Sequence, residues 1–149
     1  MQNVKTIEDV IAIARVYLHE ENIEFIRKGY AIAEKMHEGQ FRKSGEPYII
    51  HPFQVGYILA QLQTGPSTIC AGLLHDVVED TDATVEEIRF FFNDRIATLV
   101  EAESEDKRKD LPPQETWMIR KMETLEFLRS KADRDAKILA LADKLSNMR

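Results

Sequence analysis

Apolar side chains recur at the 3.6-residue spacing of helices along this chain, and sustained period-two alternation is missing, so the pattern predicts an all-α bundle. Val10, Ile11, Ala14 and Leu18 share one face of a first helix over about 6–20. Phe25, Ile26, Gly29, Tyr30, Ala33 and Met36 share one face of a second over about 23–38. Two glycines and two prolines make a loop of Gly39 to Pro52, with Pro52 opening a third helix that runs to about Gln63. Gly65-Pro66 starts a fourth, read as continuous through Ile69, Leu73, Leu74 and Val77 to the acidic run that follows. Thr84 and Glu87 form a capping-box signature for a fifth, and Phe90, Phe91, Ile96 and Leu99 continue the pattern. Glu101 to Glu115 holds nine charged residues and Pro112-Pro113, the composition of an exposed connection. Two more helices are expected over about 114–130 and 133–148.

At 149 residues, with 44% hydrophobic and 31% charged side chains, the chain can bury a real core as one domain without staples. Its single Cys70 closes no intrachain disulfide. The N-terminus lacks the basic-then-apolar pattern of a secretory signal, and no apolar run approaches the ~18 residues of a membrane span, so a cytoplasmic protein without a membrane partner is expected. With 26 Asp and Glu against 20 Lys and Arg, nucleic acid is not an expected partner either, since that binding draws on clustered basic residues. An anionic ligand must be met by a local basic pocket or a metal.

On the expected fourth helix His75, Asp76, Glu79 and Asp80 fall within an arc of roughly 140° at 100° per residue, while Cys70, Leu73, Leu74, Val77 and Val78 fill the opposite arc. Amphipathic helices ordinarily show such a face to solvent. Here, however, like charges three and four residues apart repel, and no Lys or Arg between His75 and Thr81 relieves them. A divalent cation would, and a mixed His/Asp set suits Mn, Fe, Co or Zn better than Mg or Ca. On the last helix Ile138, Leu141, Ala142, Leu145 and Met148 form the expected core stripe. Asp143 and Asn147 share another face with Ala136 and Ala140, either as solvated groups or with room for a ligand beside them. His51 reads simply as a helix-start residue. His19 and His37 stand near helix ends and receive no function; Cys70, Trp117, Met118 and Met122 read as packing residues.

Three segments, RKSGEPYIIHP (Arg42 to Pro52), LLHDVVEDT (Leu73 to Thr81) and LADKLSNMR (Leu141 to Arg149), resemble in this order the motifs of HD-domain phosphohydrolases. More narrowly they resemble the hydrolase domain of RelA/SpoT-type alarmone enzymes and the stand-alone small alarmone hydrolases. The resemblance runs from about Phe25 to Arg149. It implies an HD-domain helical bundle that removes the 3′-pyrophosphate of ppGpp or pppGpp. It also implies that His51, His75, Asp76 and Asp143 bind one metal, Mn²⁺ or another divalent transition metal. Glu79 and Asp80 match the acidic pair that handles the attacking water and proton transfer. Arg42, Lys43 and Ser44 match the loop that lies against the guanine nucleotide, with Tyr48 nearby, and Asn147 matches a nucleotide contact.

A metal and adjacent carboxylates suffice for phosphate hydrolysis near neutral pH without a covalent nucleophile. Arg42 and Lys43 would bring positive charge to a ligand with two pyrophosphates. Two departures stand out. Ser146 occupies a position where related motifs often carry His, a change expected to act on nucleotide contacts. The sequence also ends directly after the last motif, where family members continue with further helices, so a minimal or truncated domain of residues 1–149 is expected. Alarmone synthesis is not expected, since these 149 residues show no synthetase segment. Two other functions fit the same residues: an HD phosphohydrolase for another nucleotide phosphate, and a nucleotide-binding regulatory module without turnover.

Overall fold

A computed structural model describes residues 6–103, Met122 and 134–147, and all secondary structure among them is helical apart from one isolated bridge between Phe41 and Pro47. The order is α1 (Ile7–Arg15), α2 (Glu20–Met36), α3 (Ile50–Gln61), α4 (Pro66–Leu74), α5 (Val77–Asp80), α6 (Val85–Phe91), α7 (Asp94–Glu103) and α8 (Arg134–Asn147). The all-α expectation holds. The helix expected over 114–130, with Trp117 and Met118, lies outside the described residues, as do Met148 and Arg149; Met122 is exposed.

α4 is the axis of the fold. Every residue from Thr68 to Leu74 is buried, and α2, α3, α7 and α8 all pack against it. Such all-round burial is what an apolar helix with no charged residue adopts. Pro66 sits at its first position, where no intrahelical N–H is required. Gly72 lets α3 approach: a Cβ there would meet Leu59 Cδ1 at 2.5 Å and Val55 Cγ1 at 3.1 Å. α6 begins as its sequence specifies, with Thr84 Oγ1 accepting from Glu87 N at 3.1 Å and the Glu87 carboxylate accepting from Thr84 N at 3.1 Å.

Several boundaries differ from expectation. α1 stops at Arg15, and α3 starts at Ile50, so Pro52 is its third residue; its missing N–H is still among the orphans of a first turn. The expected fourth helix is two helices, interrupted at His75-Asp76. The reason is local: the Gly72 carbonyl, which a continuous helix would offer to the Asp76 N–H, receives His75 Nδ1 at 2.6 Å. Phe90 and Phe91 do not continue the core; α6 ends there and both rings are exposed. α7 extends to Glu103, so the charged segment begins inside a helix.

α8 turns the other way from its most apolar stripe. Ala136, Leu139, Ala142 and Ser146 are buried, Ile138 is partly covered, and Leu141 and Leu145 are exposed. That rotation directs Asp143 towards α3 and α4, and the reason lies in the site it completes.

Candidate metal and nucleotide site

His51 in the first turn of α3, His75-Asp76 at the α4–α5 break, and Asp143 on α8 meet at one point. Asp143 Oδ1 is 2.9 Å from His51 Nε2 and 3.2 Å from His75 Nε2. Asp76 Oδ2 is 3.5 Å and 3.2 Å from the same two nitrogens. The imidazoles meet edge to face with centroids 5.2 Å apart. His51, His75 and Asp76 are buried, so the two histidines and Asp76 form no solvated face.

Both rings are fixed through their other nitrogens. His75 Nδ1 donates to the Gly72 carbonyl at 2.6 Å, and His51 Nδ1 faces Ser146 Oγ at 3.0 Å, which in turn donates to Gln54 Oε1 at 2.9 Å. With each Nδ1 engaged by the chain, both Nε2 atoms are turned to the shared point, where they donate to the carboxylates when protonated and would offer lone pairs to a cation when not. Ser146, expected to bear on nucleotide contacts, is buried here and engaged with His51. Ser146→Ala should weaken divalent-cation affinity ~10–100-fold, the range for partners that orient a ligand, as read by competition with a chelating dye.

The electrostatics call for positive charge at the centre. Burial disfavours the His75 imidazolium, yet Asp143 and Asp76 beside it outweigh this and hold its pKa well above the usual histidine range. Burial likewise opposes ionisation of Asp143, but hydrogen bonds from His51 and His75 hold its carboxyl well below the carboxylate range. Burial works the same way on Asp76, and the His75 hydrogen bond and charge bring it below its ordinary value. The donor separations of 2.9–3.5 Å match the ~3.0–3.4 Å edges of an octahedron or tetrahedron about ~2.1 Å in radius. Two imidazole nitrogens and two carboxylates thus fit a divalent cation.

Glu79 and Asp80 stand one turn on, half-buried on α5. One carboxylate oxygen from each of Asp76, Glu79 and Asp80 lies within 4.8 Å of the others. Tyr48 Oη donates to Asp80 Oδ2 at 2.8 Å and to Asp76 Oδ2 at 3.2 Å, so its hydroxyl lies on the carboxylates. Burial and these carboxylates raise the phenol's pKa far above its ordinary value, which keeps it a donor.

The Arg42 to Tyr48 segment is a small hairpin. Arg42 N donates to Glu46 O and Gly45 N to Arg42 O, both at 2.8 Å, with Gly45 at φ +92°, a conformation that glycine adopts without strain. Lys43 and Ser44 are exposed at its tip. Arg42 Nη2 reaches Asn147 Oδ1 at 3.4 Å, joining hairpin and α8 at the rim, and Asn147 Nδ2 lies 3.5 Å from Asp143 Oδ1.

Glu103, at the end of α7, was absorbed into the charged connection by sequence reasoning. Burial first, and then its contact with the Asp143 carboxylate, push its pKa up to about 8. A signal existed: Ile96, Leu99 and Val100 form a buried helical stripe, and the half-buried Glu103 is the next position on it.

An all-α bundle that assembles His51, His75-Asp76 and Asp143 from three helices defines a class, and the HD domain family matches residues 29–149. The chain belongs to the HD-domain family. Among named relatives it is 40% identical over 149 residues to the guanosine-3′,5′-bis(diphosphate) 3′-pyrophosphohydrolase of Spiroplasma citri, covering 95% of this chain and 19% of that one. The Vibrio cholerae protein of the same name is 42% identical over 140 residues, covering 92% and 19%. The bifunctional (p)ppGpp synthase/hydrolase SpoT of Escherichia coli K12 is 39% identical over 145 residues, covering 95% and 20%. The chain thus spans about a fifth of the length of these relatives. A solved structure described as a metazoan ortholog of SpoT that hydrolyzes ppGpp superimposes with a TM-score of 0.73 at 34% identity, covering 89% of this chain and 71% of that one. No helix among the described residues is long and apolar enough to cross a membrane.

Proposed function

We propose that this domain is a metal-dependent pyrophosphohydrolase that removes the 3′-pyrophosphate of ppGpp or pppGpp in the cytoplasm. The observation that carries the reading is the convergence of two Nε2 atoms and two carboxylates beside Glu79 and Asp80, with Arg42 and Asn147 at the rim. The proteins that resemble it along 92–95% of its length and bear the pyrophosphohydrolase name support the choice of substrate.

His51, His75, Asp76 and Asp143 would hold the cation, with Mn²⁺ the ion we assign. Bound there, it would supply Lewis acidity, acidifying water towards neutrality and drawing charge from a phosphoryl oxygen. Glu79 and Asp80 handle the protons: one leaves the attacking water and one reaches the ribose 3′-oxygen. A new P–O bond forms to the water oxygen while the bond to the 3′-oxygen breaks, giving pyrophosphate and GDP or GTP. Arg42, Lys43 and Ser44 meet the nucleotide and its second pyrophosphate from the hairpin, and Asn147 meets it from α8. Tyr48 serves this site through the carboxylates it touches.

The test is release of pyrophosphate and GDP from ppGpp by Mn²⁺-loaded protein, with a panel of other nucleotide phosphates alongside. Turnover of the panel but not ppGpp would favour a general phosphohydrolase, and tight ppGpp binding without product a regulatory module. Substrate choice should reside in the hairpin, because a cation and carboxylates do not tell one nucleotide from another. Arg42 carries a planar, permanently charged guanidinium suited to stacking on a base or forking to phosphate. Arg42→Ala should therefore raise KM for ppGpp ~10-fold or more, the scale of one or more lost charge-assisted contacts, with cation affinity unchanged. Equal kcat/KM in variant and parent would show that the loop does not read the nucleotide.

A further inference from the structure

Behind Asp80 lies a chain of side chains of which the hydrolytic reading uses only Tyr48. His37, which closes α2, is buried, and its ring packs on Tyr48 with centroids 4.8 Å apart and planes 32° from parallel. Its Nδ1 is 2.9 Å from Gln40 Oε1, and Gln40 Nε2 donates to the Asp80 carbonyl at 2.8 Å. Because the amide must turn its NH₂ to that carbonyl, its oxygen faces His37, and the proton of that contact sits on His37 Nδ1. Tyr48 is tied back to the same residue, its N–H donating to the Gln40 carbonyl at 2.9 Å, while its hydroxyl reaches Asp80 Oδ2 at 2.8 Å. Asp80 is thus gripped at both ends, by Gln40 at its backbone and by Tyr48 at its carboxylate, and the His37 ring backs both.

We propose that His37, Gln40 and Tyr48 form a positioning clamp that sets the Asp80 carboxylate for proton transfer and fastens the base of the Arg42 hairpin to the reacting centre. The role given to Asp80 rests on the hydrolase reading above; the grip itself does not. The same backbone that carries Arg42, Lys43 and Ser44 passes through Gln40 and Tyr48, so the segment that would meet the nucleotide and the carboxylate that would move the proton share one anchor. An anchor of this kind matters because a misplacement of about 1 Å can cost ~10²-fold in rate.

Tyr48→Phe keeps the ring against His37 and removes only the hydroxyl. With ppGpp and Mn²⁺, kcat should fall ~10–100-fold while KM and bound metal stay within twofold of the parent. Gln40→Ala should lower kcat in the same direction. In an Asp80→Ala background, Tyr48→Phe should add no more than a twofold loss, since two groups acting through one carboxylate are not additive. A raised KM with kcat unchanged would make Tyr48 a substrate contact and overturn the proposal, as would a full additional loss in the Asp80→Ala background. Crystal structures of parent and Tyr48→Phe give a reading independent of turnover. The clamp requires Asp80 to leave its single position in the variant, and an unmoved Asp80 overturns it. Should the parent fail to hydrolyse ppGpp, the hydrolase reading falls, and the displacement of Asp80 still decides the clamp.

Discussion

Asp143→Asn should strip the protein of its cation and its turnover together. Asp143 Oδ1 is within 3.2 Å of both histidine Nε2 atoms, so the substitution removes a full negative charge from the point where the two rings meet. The amide keeps the shape of the side chain, which separates loss of charge from loss of packing. Divalent-cation affinity should fall by more than the ~10–100-fold that orienting partners cost, and ppGpp hydrolysis should become undetectable at metal concentrations that saturate the parent. Equilibrium dialysis with Mn²⁺ and a pyrophosphate-release assay on one preparation decide it. Parental metal retention would show that Asp143 is not a ligand.

Glu79→Gln should produce the complementary result, in which metal stays and chemistry goes. The glutamine retains size and hydrogen-bonding reach but cannot exchange a proton, so kcat should drop ~10²–10⁴-fold with metal content close to the parent's. Parallel loss of metal and activity would instead identify Glu79 as a ligand. Run side by side, the two variants separate the groups that would hold the cation from those that would move protons.

The helical architecture was legible because amphipathic periodicity, the Thr84 cap and Gly65-Pro66 are local signals that act within one or two turns. The grouping of His51, His75-Asp76 and Asp143 came from motif resemblance, and no periodicity could have supplied it. What stayed hidden is instructive for α8. Two stripes offset by one residue compete there: the more apolar one through Leu141 and Leu145, and the one through Leu139, Ala142, Asp143 and Ser146 that is directed inward. Hydropathy selects the first, because a polar site in the interior looks, to a hydropathy count, like solvent. The same blindness concealed Glu103, and the resemblance that set Tyr48 near the nucleotide did not disclose that its hydroxyl is engaged by Asp80 and Asp76. The α4–α5 break was equally out of reach, since it depends on His75 taking its own helix's carbonyl.

The inward turn of α8 has a consequence for how the chain matures. The histidines lie 24 positions apart, on α3 and at the end of α4, which pack directly on each other, whereas the Asp143 carboxylate comes 68 residues after His75 and 92 after His51. Closing so long a loop costs entropy before any contact rewards it, and it is among the slower kinds of event in folding. A nascent chain therefore displays both imidazoles long before the last carboxylate is synthesised. The four-residue donor set comes into being only when α8 docks, so a cation held there would certify that α3, α4 and α8 have come together.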